Sequence, residues 1–256
     1  MTPWYESLAK IKPLVFKVET SNGFGTGFLI FNNNKLCGIA TAYHVISEAY
    51  EWDFPIKLTH HESGSFVKLK PDSSERAIFS YPNKDLAIII VNKTSFPNLE
   101  SSAPELIPAD NTLKEGVSVG WCGFPAIAAS NLCFFAGHTS SYLADMDAYL
   151  ADGVAINGVS GGPAFFVEAV TLETKIYGVV SEYRPNRRLS GETTPGLCVI
   201  RSVEPYRQDL ENLKSMDEAS EKAEIQSEKA EKELEIAKVE EPKVDSEITR
   251  APDTVK

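Results

Sequence analysis

Short apolar runs of about five to nine residues, each closed by a turn signal, dominate the chain up to about Glu204. Examples are PLVFKVE, GTGFLIF, CGIATA, DLAIIIV, GVSVGWCGF, GPAFFVEAV, KIYGVVSEY and GLCVIRSV. They are enriched in Val, Ile, Phe and Tyr and are broken by Gly, Pro, Asn and Asp. Runs of that length, composition and punctuation read as β-strands. Helical periodicity between them is slight, apart from short stretches near Glu6 and from Val45 to Glu51. Many short strands with few helices predict an antiparallel sandwich or barrel and oppose a parallel βαβ sheet. With 256 residues, 43% of them hydrophobic, the chain has ample material for a core. Fibrous and wholly disordered classes are excluded.

The pattern stops near Pro205. The stretch RQDLENLKSMDEASEKAEIQSEKAEKELEIAKVEE is rich in Glu, Lys and Ala and contains no Gly or Pro. Glu-to-Lys spacings of four, such as Glu218 with Lys222, support a helix over 205–241. EKAE recurs one heptad apart, and Met216, Ala223, Ala230, Ala237 and Val244 keep a seven-residue step. Gln226 and Glu233 occupy the companion positions, which weakens a coiled-coil seam. Two readings stay open for this helix: a solvated appendage, or a surface for a regulatory partner or self-association. Residues 242–256 read as a disordered end.

The chain carries a net charge of −11. From Pro205 onward there are nine Lys+Arg against fifteen Asp+Glu, a net −6, so over half the acidity sits in the last fifth. An acidic chain lacks the basic footprint of a general nucleic-acid binder or an anionic-membrane binder, so neither partner is expected. No run approaches the roughly 18 apolar residues of a spanning helix. The start, MTPWYESLAK, does not read as a signal peptide. Cys37, Cys122, Cys133 and Cys198 form no CxxC pair and lie in apolar stretches. They read as free thiols of a reducing, cytoplasmic compartment. The adjacent His60 and His61 have no partner at ligand-like spacing, and no metal or cofactor is expected.

Three residues have contexts that agree. His44 follows the strand-like CGIATA, which places an imidazole at a strand end. Asp85 opens the apolar run LAIIIV, where it reads either as a turn residue or as a buried carboxylate. Ser160 lies in NGVSGGPAFF, where flanking glycines permit close backbone approach. Serine is a poor nucleophile without an adjacent base. Histidine titrates near working pH, and a carboxylate fixes its tautomer and steadies the imidazolium. GVSGG also fits the G-x-S-x-G elbow of α/β-hydrolases, which need their histidine after the serine. All four histidines here precede Ser160, so that triad is unavailable. The order His44, Asp85, Ser160 is the chymotrypsin order.

Residues 12–204 resemble a chymotrypsin-fold (trypsin-like) serine peptidase, closest to the HtrA/Deg branch. Five segments carry the likeness in order: GFGTGFLI at 23–30, TAYHVI at 41–46, DLAIIIV at 85–91, VGWCGFP at 119–125 and NGVSGGPAFF at 157–166. The resemblance implies an all-β fold of two six-stranded antiparallel Greek-key barrels. The first would cover about 12–100 and the second about 101–204 of a protease domain at 1–204. It implies a His44–Asp85–Ser160 triad in the cleft and an oxyanion hole from the N–H groups of Gly158 and Ser160. It places Ser181 beside the pocket and Val154 at the base of the primary pocket, narrowed by Tyr183, which favours small or medium apolar side chains in a protein or peptide substrate. The chain departs from the pattern at Val159, where Asp or Asn is usual, and it has a charged helix where a PDZ domain would follow. A protease-fold binding or scaffolding module is the alternative expectation.

Overall fold

A computed structural model of the chain describes residues 4–71, 76–97, 99, 102–187 and 193–239. The short apolar runs form thirteen strands: β1 (Val15–Thr20), β2 (Gly23–Asn32), β3 (Leu36–Thr41), β4 (Ile56–His60), β5 (Phe66–Leu69), β6 (Ala77–Tyr81), β7 (Leu86–Asn92), β8 (Ser118–Gly123), β9 (Cys133–Leu143), β10 (Ala148–Ala151), β11 (Pro163–Val167), β12 (Thr174–Arg187) and β13 (Thr193–Ser202). Helix α1 (Trp4–Ile11) precedes them, α2 (Tyr43–Glu51) follows β3, and α3 (Arg207–Val239) follows β13.

The first seven strands make one antiparallel sheet in the order β5-β4-β1-β2-β3-β7-β6. Its central strands are buried along most of their length, and Leu86 to Val91 are all buried. That explains why LAIIIV is an unbroken apolar run rather than an alternating one. The expected first six-stranded barrel differs here: among the described residues seven strands form an open sheet whose edges, β5 and β6, are not paired with each other. Most residues of both edge strands are half-exposed or exposed, although FVKL and AIFSY are largely apolar in composition.

The remaining six strands close into an antiparallel barrel in the order β10-β13-β12-β11-β8-β9. Trp121, Tyr149, Phe165 and Tyr177 are fully buried. The Trp121 indole N–H donates to the Val154 carbonyl at 3.1 Å, which satisfies its one polar atom. Helix α1 lays Trp4 against Phe134 and Phe165, with ring centroids 5.6 and 5.8 Å away.

The change in composition at Pro205 precedes the structural boundary. The first compact unit runs through Asn212, and Tyr206 within it is fully buried. The Tyr206 hydroxyl donates to the carbonyls of Thr41 (3.3 Å) and Ala87 (3.2 Å), on two strands of the open sheet. The Tyr81 hydroxyl donates to the Asp209 carboxylate, and the Tyr81 and Tyr206 rings meet edge to face at 5.7 Å. The second unit begins at Leu213, and its described part is the continuation of α3 to Val239, as the charge pattern predicts. The expected disordered end at 242–256 lies outside the described residues.

All four cysteines are free. Cys37, Cys122 and Cys198 are buried, and burial pushes their thiols up to about 12, which leaves them unreactive. Among the described residues no helix is long and apolar enough to cross a membrane. His60 is buried, with one ring nitrogen 2.9 Å from the Ser63 hydroxyl and the other 2.9 Å from the Pro13 carbonyl, so both its polar atoms are used structurally.

Candidate active site

Strand β3 ends at Thr41, Ala42 is extended, and α2 starts at Tyr43. His44 therefore sits in the first turn of a helix, not at the strand end itself. That turn leaves backbone N–H groups without intrahelical acceptors. Ala42 has no side chain able to cap them. The carboxylate of Asp85 does so from a distance, accepting the His44 backbone N–H at 2.9 Å through Oδ1. The same carboxylate holds the imidazole, with Nδ1 3.0 Å from Oδ1 and 2.9 Å from Oδ2. A hydrogen on Nδ1 leaves Nε2 as the basic nitrogen.

Asp85 is the turn residue its sequence context offered, and its carboxylate is half-buried. It has φ 53° and ψ 44°, a left-handed residue ending a 3-10 turn over Pro82–Lys84, and it opens β7. Aspartate is among the few side chains that tolerate this conformation. The buried Ser181 hydroxyl donates to Oδ2 as well. Burial works against the charge on Asp85. The hydrogen bond and charge of His44, the Ser181 hydroxyl and the His44 backbone N–H outweigh it and hold the carboxyl below its ordinary value.

Ser160 lies in the loop between β10 and β11, on a turn that requires two glycines. Gly158 has φ +93°, and a Cβ there would fall 2.2 Å from the Phe124 carbonyl oxygen. Gly161 has φ +87°, and a Cβ would meet the Thr26 carbonyl oxygen at 2.0 Å. Between them, Val159 is fully buried and packs against Gly123. This apolar contact stands at the position where Asp or Asn is usual in the resembled motif.

The peptide groups of this loop are oriented by their carbonyls. Asn157 C=O accepts the Ala126 N–H at 2.7 Å, and Val159 C=O accepts the Gly162 N–H at 2.9 Å. Across a trans peptide the following N–H points the opposite way. The Gly158 and Ser160 N–H groups are thus turned away from those partners, and neither has an acceptor among the described residues. Thr26, fully buried on β2, ties the open sheet to this loop. Its N–H donates to Ser160 C=O (2.8 Å), its hydroxyl donates to Gly158 C=O (2.8 Å), and that hydroxyl accepts the Phe124 N–H (3.0 Å).

Two cavities meet at His44, Asn157 and Ser160. One, of about 840 Å³, is also lined by Asp85, Val154, Ser181, Tyr183 and Arg201. The other, of about 350 Å³, is also lined by Phe24, Glu48 and Gly158. His44, Asp85, Val154, Gly158, Ser160, Ser181 and Tyr183, the expected site residues, therefore each border one or both cavities. Val154 has 51% of its surface exposed, so it lies on an open wall. Tyr183 is half-buried, and its hydroxyl accepts the Gly196 N–H. Among the described residues no hydrogen bond joins Ser160 to His44. The Ser160 hydroxyl donates instead to the Ser181 carbonyl at 3.0 Å. Thr26 and Arg201 were not singled out from the sequence. The threonine between two glycines in GFGTGFLI was the available signal for the first; nothing local marks the second.

The arrangement supplies an oriented imidazole, a hydroxyl on the same cavity wall, and two unengaged amides beside that hydroxyl. Such a set can perform acyl transfer. No protein-family model matches the chain, and no curated protein matches it.

Proposed function

We propose that the protein is a serine endopeptidase of chymotrypsin-like architecture, with the open sheet as the counterpart of that fold's first barrel. The observation that supports this most is the convergence of His44, Asp85 and Ser160, separated by 41 and 75 positions, on one cavity. In the reaction, the Ser160 hydroxyl leaves the Ser181 carbonyl and gives its proton to His44 Nε2 as Oγ attacks the scissile carbonyl. Asp85 steadies the imidazolium. The tetrahedral oxyanion is met by the N–H groups of Gly158 and Ser160, each worth about 2.7–4 kcal/mol in such sites. His44 then protonates the leaving amine, and water delivered through His44 releases the acyl group. No metal or organic group takes part. Val154 and Tyr183 on the wall favour a small or medium apolar side chain at the cleaved position.

Digestion of an unstructured protein, with the products sequenced, tests this reading. Wild type yields new termini following apolar residues, and Ser160→Ala yields none. Equal cleavage by both proteins would refute it, and strong cleavage after Arg or Lys would refute the pocket assignment. A second reading, a binding module of protease fold, is favoured by one observation: the Ser160 hydroxyl is bonded to Ser181 and not to His44.

A further inference from the structure

The larger cavity carries a cation whose bonding is incomplete. Arg201 is on β13, paired with Ala148 of β10 and Val179 of β12, and it lines the cavity with His44 and Ser160. A guanidinium has five N–H donors. Here one nitrogen, Nη1, donates to the Met146 carbonyl at 3.0 Å, and Nε is buried with no partner. Among the described residues no carboxylate lies within 4.0 Å of Arg201. The other charged side chains on this wall are engaged: Asp85 by His44 and Ser181, and Glu182 by Arg184 at 3.0 Å. A half-buried guanidinium with no carboxylate beside it is costly unless an anion arrives from the cavity to supply the counter-charge.

We infer that this wall is an anionic subsite, in which Arg201 selects an acidic side chain of a peptide lying along Ser181–Tyr183. A carboxylate fits the guanidinium fork with two parallel hydrogen bonds and supplies the missing charge. The wall offers a peptide what it needs to arrive there: an extended segment of β12 for main-chain pairing and space of about 840 Å³. This deepens the peptidase reading, since it assigns a substrate class to the same cleft: peptides with an apolar residue at the cleaved bond and an acidic residue near it. The subsite depends on that reading only for where the peptide lies, so binding tests it separately from cleavage.

The experiment measures binding of fluorescent peptides to full-length Ser160→Ala protein. Glu is scanned through each position flanking an apolar residue, and each peptide has a Gln twin. At one position the Glu peptide binds roughly tenfold or more tightly than its twin, the range expected for a charge-assisted pair. Adding Arg201→Met abolishes that ratio, and Arg201→Lys, which keeps the charge and loses the fork, leaves a smaller one. Equal binding of Glu and Gln peptides, a ratio that survives in Arg201→Met, or no binding of either peptide overturns the subsite. If Arg201→Met does not fold, as judged by its thermal unfolding, Arg201→Lys decides: an unchanged ratio overturns the proposal. Loss of hydrolysis in the wild type would refute the peptidase reading and leave the binding result standing.

Discussion

The open sheet and the closed barrel hold their parts of the site by different means. In the sheet, His44 and Asp85 grip each other by side-chain bonds, and Asp85 also caps the helix that carries His44. In the barrel, Ser160 is placed by backbone: a turn with two glycines at positive φ and a chain of peptide-to-peptide bonds. A hydrogen-bonded side-chain pair is robust because it is local to two side chains. A backbone turn depends on everything that pins it, and here one pin, Thr26, comes from the other half. The two halves are therefore coupled: the open sheet both orients the His44 imidazole and pins the loop that carries Ser160.

The comparison is broken most severely at the proposed triad. Ser160→Ala and His44→Ala should each lower kcat by about 10⁶-fold, the scale seen when such a unit loses a member. Residual activity above the level of contaminants in the purified variants would contradict this. Asp85→Asn should follow at about 10⁴-fold, because the amide would hold the wrong imidazole tautomer. It should also change acid sensitivity. The Asp85 carboxyl is held low in the folded protein, so its contribution is present at neutral pH and is lost as pH falls through that lowered value. Urea midpoints followed from about pH 7 to about pH 3 should therefore fall less steeply in Asp85→Asn than in wild type.

Thr26→Val sharpens the comparison at the junction. It leaves the Phe124 N–H and the Gly158 C=O buried without their partner, at a cost of about 1–3 kcal/mol. Thermal unfolding should register that loss, kcat should fall about tenfold or more as the loop carrying the Gly158 N–H loses its tie at the Gly158 carbonyl, and KM should change little. Thr26→Ser should restore both, whereas a purely packing role would leave kcat untouched. The smallest effect belongs to Tyr206→Phe. Two carbonyls lose a hydroxyl they share, so stability should drop by about 1–2 kcal/mol with activity largely kept. A variant as stable as wild type would remove Tyr206 from the account.

Much of this was legible in the sequence because the signals were local. LAIIIV announced a strand buried along its length, and the tail announced a helix by its charge spacing. The order of histidine, aspartate and serine excluded an α/β-hydrolase triad. What was not legible depended on long-range pairing. Closure of a sheet is decided by whether distant edge strands meet, and nothing within Phe66–Leu69 or Ala77–Tyr81 states that they do not. The start of α2 before His44 was hidden for the same reason, since its cap is supplied by Asp85, 41 positions away. Tyr206 looked like part of the charged tail by composition, yet its partners are carbonyls at positions 41 and 87. Val159 read only as a departure from the resembled motif; its burial against Gly123 pins the serine loop by an apolar contact.

The central claim, that His44 activates Ser160 as a nucleophile, is tested most directly by reaction with a fluorophosphonate followed by peptide mapping of the adduct. The account predicts one adduct, on Ser160, which forms far more slowly in His44→Ala and not at all in Ser160→Ala. An unlabelled wild type, an adduct on another residue, or an unchanged rate in His44→Ala would contradict it.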